Sequence, residues 1–143
     1  MIQITAVVTK ASLKRLAAKM NTTLERVRLV AIEEFPSIGQ EIMDQSFELV
    51  PKSSGALAHS GYVGEVVIDY NRIGVKLGYG GPNDKVNPYT GRLASTYAWV
   101  VHEDLNAYHP DGQAKYLELP VSLSATWVAE RLMSRIRNVL RVL

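Results

Sequence analysis

The side chains here best suited to hold a metal ion or to move a proton near neutral pH are three histidines, His59, His102 and His109. A zinc site needs three or four ligands converging on one point. His102 and Glu103 are adjacent, and on a strand adjacent side chains face opposite sides, so they do not read as two ligands of one ion. His109 precedes Pro110 in a turn. Solvated or hydrogen-bonded histidines are expected, with no metal and no cofactor. Serine chemistry is served no better, because Ser53-Ser54-Gly55 and His59-Ser60-Gly61 lack the strand-to-helix elbow of a G-x-S-x-G nucleophile. Glu33 and Glu34 are neighbours on a helix, splayed by about 100°, which suits a wet face rather than an acid–base pair. Gly78-Tyr79-Gly80-Gly81-Pro82 has neither the lysine nor the following helix of a phosphate loop and reads as a turn at a strand end. The expectation is a protein that is not an enzyme.

The elements that would position these residues are those of one domain, 1–143, since 143 residues suffice for a single self-supporting core. Apolar residues make up 47% and charged residues 21%, an ordinary globular balance. Cysteine is absent, which excludes disulfides and thiolate metal sites and fits a reducing compartment. The opening MIQITAVVTKASLKRL has no signal-peptide pattern, and no window approaches the 18 or so apolar residues of a membrane span. A soluble chain with no membrane partner is expected.

Along the chain, Ile2–Val8 alternates like a terminal strand. Ser12 is placed to cap a short helix, Leu13–Met20, and Asn21-Thr22-Thr23 punctuates it. Thr22 and Glu25 match a capping box. A second helix then runs from Leu24 to about Leu49 on the stripe Leu24, Val27, Ala31, Phe35, Ile38, Ile42. Pro36 lies inside it and predicts a kink or break. Val50-Pro51-Lys52-Ser53-Ser54-Gly55 ends this helix, and Ser54–His59 offers a further short turn of helix. Tyr62–Tyr70 and Ile73–Tyr79 read as a hairpin joined at Asn71-Arg72. Gly80–Thr96 is a long polar loop, Tyr97–His102 a returning strand, and Asp104–Gln113 a second loop turning at His109-Pro110-Asp111-Gly112. The last helix begins near Leu119 or Pro120, with Leu123, Trp127, Leu132, Ile136, Val139, Leu140 and Leu143 as its stripe. Trp99 and Trp127 read as core. The architecture expected is α+β: a long N-terminal helical segment and a C-terminal helix packed on a small antiparallel sheet with a central hairpin.

The formal charge is only +2. From Arg131 onward, however, there are four arginines, Arg131, Arg135, Arg137 and Arg141, and no acid. They read as a solubilising polar face, as a contact to an acidic partner, or as a small nucleic-acid-binding surface. No aromatic platform or recognition helix accompanies the last of these.

The order of short motifs carries more. Pro51-x-Ser53-Ser54-Gly55-x-Leu57-x-x-Ser60 precedes the hairpin; Tyr97-Ala98 and His102-Glu103 follow it; Lys115-Tyr116-Leu117-Glu118-x-Pro120 opens the last helix. Over roughly Leu24 to Leu143 this order resembles the tail-completion, or head-to-tail joining, proteins of long-tailed bacteriophages, also called minor capsid or neck proteins. The resemblance implies a structural virion protein at the neck, present in the host cytoplasm during assembly. It implies a homo-oligomeric ring of six or twelve copies between the connector or portal side and the tail tube or terminator. DNA would pass through its channel without sequence-specific binding. On that reading the contact positions expected are Tyr89, Arg92, Tyr97, His102, Glu103, Tyr108 and Lys115, with the two polar loops ordering on neighbours.

Overall fold

In the computed structural model, which describes residues 9–70, 72–109 and 111–141, the chain is α+β, with two long helices and a two-stranded antiparallel sheet. Helix α1 spans Lys10–Leu49. A one-turn helix α2, Ala56–His59, leads into strands β1 (Gly61–Asp69) and β2 (Arg72–Tyr79). After two turns of 3₁₀ helix, at Gly81–Asn83 and Ala94–Thr96, come α3 (Ala98–Glu103) and α4 (Glu118–Arg141). The strand expected over Ile2–Val8 lies outside the described residues, as does Leu143 of the final stripe.

One continuous helix replaces the two expected before Leu49. Thr9, not Ser12, caps it: the Thr9 hydroxyl accepts the Ser12 backbone N–H at 3.1 Å. Thr22 and Thr23 do not start a second helix, because their hydroxyls donate back to the carbonyls of Ala18 and Lys19 at 3.0 and 2.9 Å. That bonding lets threonine sit inside a helix rather than at its end. The helix also passes through Pro36. Pro36 is exposed, so water can reach the carbonyl that its missing N–H leaves free. Ile38, Gly39, Ile42 and Met43, buried just beyond it, hold the next turns in place.

The hairpin crosses α1 at Gly39. A Cβ there would meet Val63, Leu77 and Val75 side chains at 3.0, 3.1 and 3.2 Å, so the absent side chain sets how closely sheet and helix approach. Strand β1 carries one extra residue between Val63 and Val66, a bulge that increases local twist. Asp69 pairs with Arg72, so Arg72 belongs to the strand and the turn falls one residue earlier than expected; Asn71 lies outside the described residues.

Helix α4 lies antiparallel along α1, and a single arginine grips it. Arg131 donates to Glu34, Ser37 and Glu41 at 3.2, 2.9 and 2.7 Å, three residues on one face of α1 at steps of three and four. Arg135 adds a second bond to Glu34 at 2.8 Å. The solvated Glu33-Glu34 face expected from sequence is therefore half right: Glu33 is exposed, but the Glu34 side chain is only 15% exposed and holds both arginines. Around the C-terminal end of α1 a second core gathers Val50, Leu57, Ala58, Ala94 and Tyr116. Where α1 leaves its neighbours, Leu24, Val27, Phe35, Ile68, Ile73 and Leu132 line an open groove of about 940 Å³.

The loop before α4 is seated on the end of α1. Gln113 N–H donates to the Leu49 carbonyl at 2.8 Å, and a Cβ on Gly112 would lie 2.6–2.7 Å from backbone atoms of Leu49, Val50 and Pro51. Gly112→Ala should therefore cost about 1–3 kcal/mol, read as a lower urea midpoint with an unchanged slope. Arg131→Met should cost about 1–2 kcal/mol by removing one of Glu34's two arginines together with the bonds to Ser37 and Glu41; a cycle with Glu34→Gln should recover part of that loss.

Candidate functional site

The segment read as a strand, Tyr97–His102, is helix α3, Ala98–Glu103. Its β-branched and aromatic residues favour strands in general, but among the described residues it adds to neither open edge of the two-stranded sheet. As a helix it turns Tyr97, Ala98 and Val101, three or four residues apart, onto the core around Tyr116. The cost is that Trp99, expected inside, is 73% exposed; Trp127 is half-buried.

The helical turn also brings His102 and Glu103 together. His102 Nδ1 bonds Glu103 Oε1 at 2.7 Å, and its Nε2 accepts the Glu118 backbone N–H at 3.2 Å. An accepting Nε2 leaves the proton on Nδ1, so this geometry calls for the neutral ring. The imidazole thus caps the first turn of α4, which begins at Glu118. Lys115 closes the cluster by bonding Glu103 Oε2 and, at 3.0 Å, Glu118 Oε2. Its backbone is held at φ 55°, an unusual value for lysine, while its N–H donates to the His102 carbonyl at 2.8 Å. Beneath lie aromatic rings set edge to face: His102 against Tyr116 at 4.9 Å and Tyr116 against Tyr79 at 5.1 Å. The Tyr116 hydroxyl donates to the Ala98 carbonyl at 2.8 Å.

The electrostatics fix charges rather than poise them. The Lys115 hydrogen bond, and then that of His102, hold the Glu103 carboxyl below the ordinary glutamate range. Bonds from Glu103 and Glu118 push Lys115 up. Burial pushes the Tyr116 phenol well above its usual range, and Tyr79 rises for the same reason, partly offset by its bond to Ser46. A general acid or base works best with a pKa near the operating pH; every shift here moves away from it. Ligand atoms of His102, Glu103 and Glu118 do fall within 4.8 Å of one another, contrary to the strand-based expectation for His102 and Glu103. The Lys115 ammonium already supplies the positive charge at that point, so the cluster works as an ion-paired clip between α3 and α4.

The expected contact residues fall into three places. His102, Glu103 and Lys115 meet in this clip. Tyr97 packs on the core, its hydroxyl buried without a hydrogen-bond partner among the described residues. Tyr89 (78% exposed), Arg92 and Tyr108 (88% exposed) point outward. Tyr89 and Arg92 sit at the tip of a loop that organises itself without a neighbour. Asp84 bonds the Ser95 N–H and hydroxyl, Val86 bridges Leu93, and Asn87 N–H donates to the Arg92 carbonyl at 2.8 Å. Of the other histidines, His59 bonds the Gly55 carbonyl at 2.8 Å and His109 the Val101 carbonyl at 2.9 Å, as expected of structural residues. No helix among the described residues is long and apolar enough to cross a membrane.

Two surfaces were not anticipated. One is a groove beside α3, about 290 Å³, lined by Ala98, Trp99 and His102 of that helix with Tyr79, Ser95, Tyr116 and Leu117; close to these in sequence, Val100, Leu105, Leu119 and Leu123 are exposed. The other is the start of α1, where residues 9–22 are exposed on every face, including Leu13, Leu16 and Met20. Reading Leu13–Met20 as a separate short helix hid the second, and reading Trp99 as core hid the first. Comparison with protein-family profiles, characterised proteins and solved structures gives no match for this chain.

A depressed carboxyl stabilises the fold fully above the ordinary glutamate value of 4.5 and loses that contribution as pH falls through its lower folded value. Glu103→Gln should therefore lower the melting temperature at neutral pH, with the gap to the parent closing in acid below that value. Circular dichroism melts across an acid series check both the sign and the window.

Proposed function

We propose that this chain is a structural, non-enzymatic protein of a tailed bacteriophage that forms a ring at the neck, joining head to tail and leaving a channel for DNA. The observation that carries the reading is the amount of apolar surface left bare. Leu13, Leu16, Met20, Leu24 and Leu29 at one end, and Trp99, Val100, Leu105, Leu119 and Leu123 at the other, are all exposed. The chain presents 10172 Å² of surface, whereas a compact monomer of its mass, 15.8 kDa, presents about 7,300 Å². Bare apolar patches of this kind mark surfaces that other proteins cover.

Three further points support it. The polar cluster at the α3–α4 junction locks its charges, as a structural clip does and a catalytic pair does not. Arg131 and Arg135 are spent on Glu34 and Glu41, which weakens the rival reading of a nucleic-acid-binding tail and suits a channel that passes DNA without gripping it. The motif order from Pro51 to Pro120 resembles the joining family and lies across the hairpin, α3 and the start of α4. Partners on this reading are copies of the chain, the connector on the head side and the tail tube or terminator on the other.

A phage lacking this protein should accumulate DNA-filled heads and free tails, and adding the purified protein to that lysate should restore joined particles. Infectious tailed particles formed without it would overturn the reading.

A further inference from the structure

Charge along α1 is segregated. Residues 10–28 carry Lys10, Lys14, Arg15, Lys19, Arg26 and Arg28 against the single acid Glu25; residues 29–49 carry Glu33, Glu34, Glu41, Asp44 and Glu48 and no base. The basic half is also the bare half. Arg131 and Arg135 set α4 opposite residues 34–41, so at 1.5 Å per residue the end of α4 at Arg141 reaches only to about residue 28. Beyond that point α1 is an arm. Its Leu13, Leu16, Met20, Leu24 and Val27 follow steps of three and four, a single apolar stripe, and among the described residues nothing covers residues 9–22, which are all exposed.

The groove beside α3 has the opposite character. It is apolar within, with Trp99, Tyr116 and Leu117, and next to its lining in sequence Glu103, Asp104 and Glu118 outnumber the single base Lys115, which pairs with the two glutamates and leaves Asp104 outside that pairing. It also lies at the other end of the molecule. Gln113, two residues before Lys115, is tied to Leu49, about 40 Å along α1 from residue 22.

We infer that the basic arm of one copy, residues 10–28, docks head to tail on the apolar, acid-edged groove beside α3 of a second copy. This rests on the ring-forming reading and names the contact that builds the ring. An arm-to-arm pair would bury the same stripe but would set six bases against six. The acidic groove supplies both the missing apolar cover and the opposite charge. Because the two surfaces differ and sit at opposite ends, each copy uses one of each, and the contact propagates until it closes. A nucleic acid or an anionic membrane would satisfy the arm's charge, but neither would cover the groove.

The test uses the full chain in sedimentation velocity. The parent should associate, and less so at raised salt. An arm-reversed variant, Lys14→Glu with Arg15→Glu and Lys19→Glu, should keep its circular dichroism and bind about a hundredfold more weakly. A groove-reversed variant, Asp104→Lys, which leaves the Glu103–Lys115–Glu118 clip intact, should weaken binding in the same way. Mixing the two should restore assembly, because each reversed surface then meets its complement in the other variant. If the parent associates and arm reversal leaves its size unchanged, this contact is wrong and the ring reading stands. A parent that stays monomeric at every concentration overturns both. Arm-dependent binding to phosphatidylserine vesicles or to duplex DNA by a monomeric parent would reassign the arm to that anionic surface.

Discussion

Helix α1 is longer than anything that packs on it, and the rest of the structure follows from that mismatch. At 1.5 Å per residue its 40 residues reach about 60 Å, while the 24 residues of α4 reach about 36 Å. The hairpin covers α1 around Gly39, and α4 is gripped at Glu34, Ser37 and Glu41. The second core closes over Val50. All of these sit on the C-terminal half, so the protein is a compact body on one half of a rod and a bare arm on the other.

Each attachment to the rod uses a different physical device. Gly39 lets the hairpin approach by having no side chain. Arg131 uses its planar fork, with three nitrogens on three partners, which an ammonium could not reproduce with the same geometry. At the far end, neutral His102 caps α4 while Lys115 balances two glutamates. In the last of these joints the Glu103 carboxyl is held low and the Lys115 ammonium high, so their pair stays charged near neutral pH.

Charge on α1 is placed unevenly. Two of the acids on its C-terminal half, Glu34 and Glu41, satisfy the arginines of α4. The bases are left on the arm, where water solvates them in the lone chain.

Much of this was legible in residue order. The turn at Asp111-Gly112, the hairpin, the short helix after Gly55 and the last helix all rest on local signals, glycine and proline positions and period-two or three-to-four patterns, which act over a few residues and need no partner. The long helix was legible only from Leu24, because threonines at 22 and 23 carry the same side-chain chemistry at a cap and inside a helix. Neither Tyr97–His102 as a helix nor the fate of the two glutamates and Trp99 could be read from sequence. A strand needs a neighbour, a buried acid needs its arginine, and a tryptophan needs a wall, and those partners lie up to 97 residues away along the chain. Local chemistry thus determined which segments turn, extend or coil. Which surfaces are left uncovered was decided only when the segments packed, since exposure is a property of what is absent nearby.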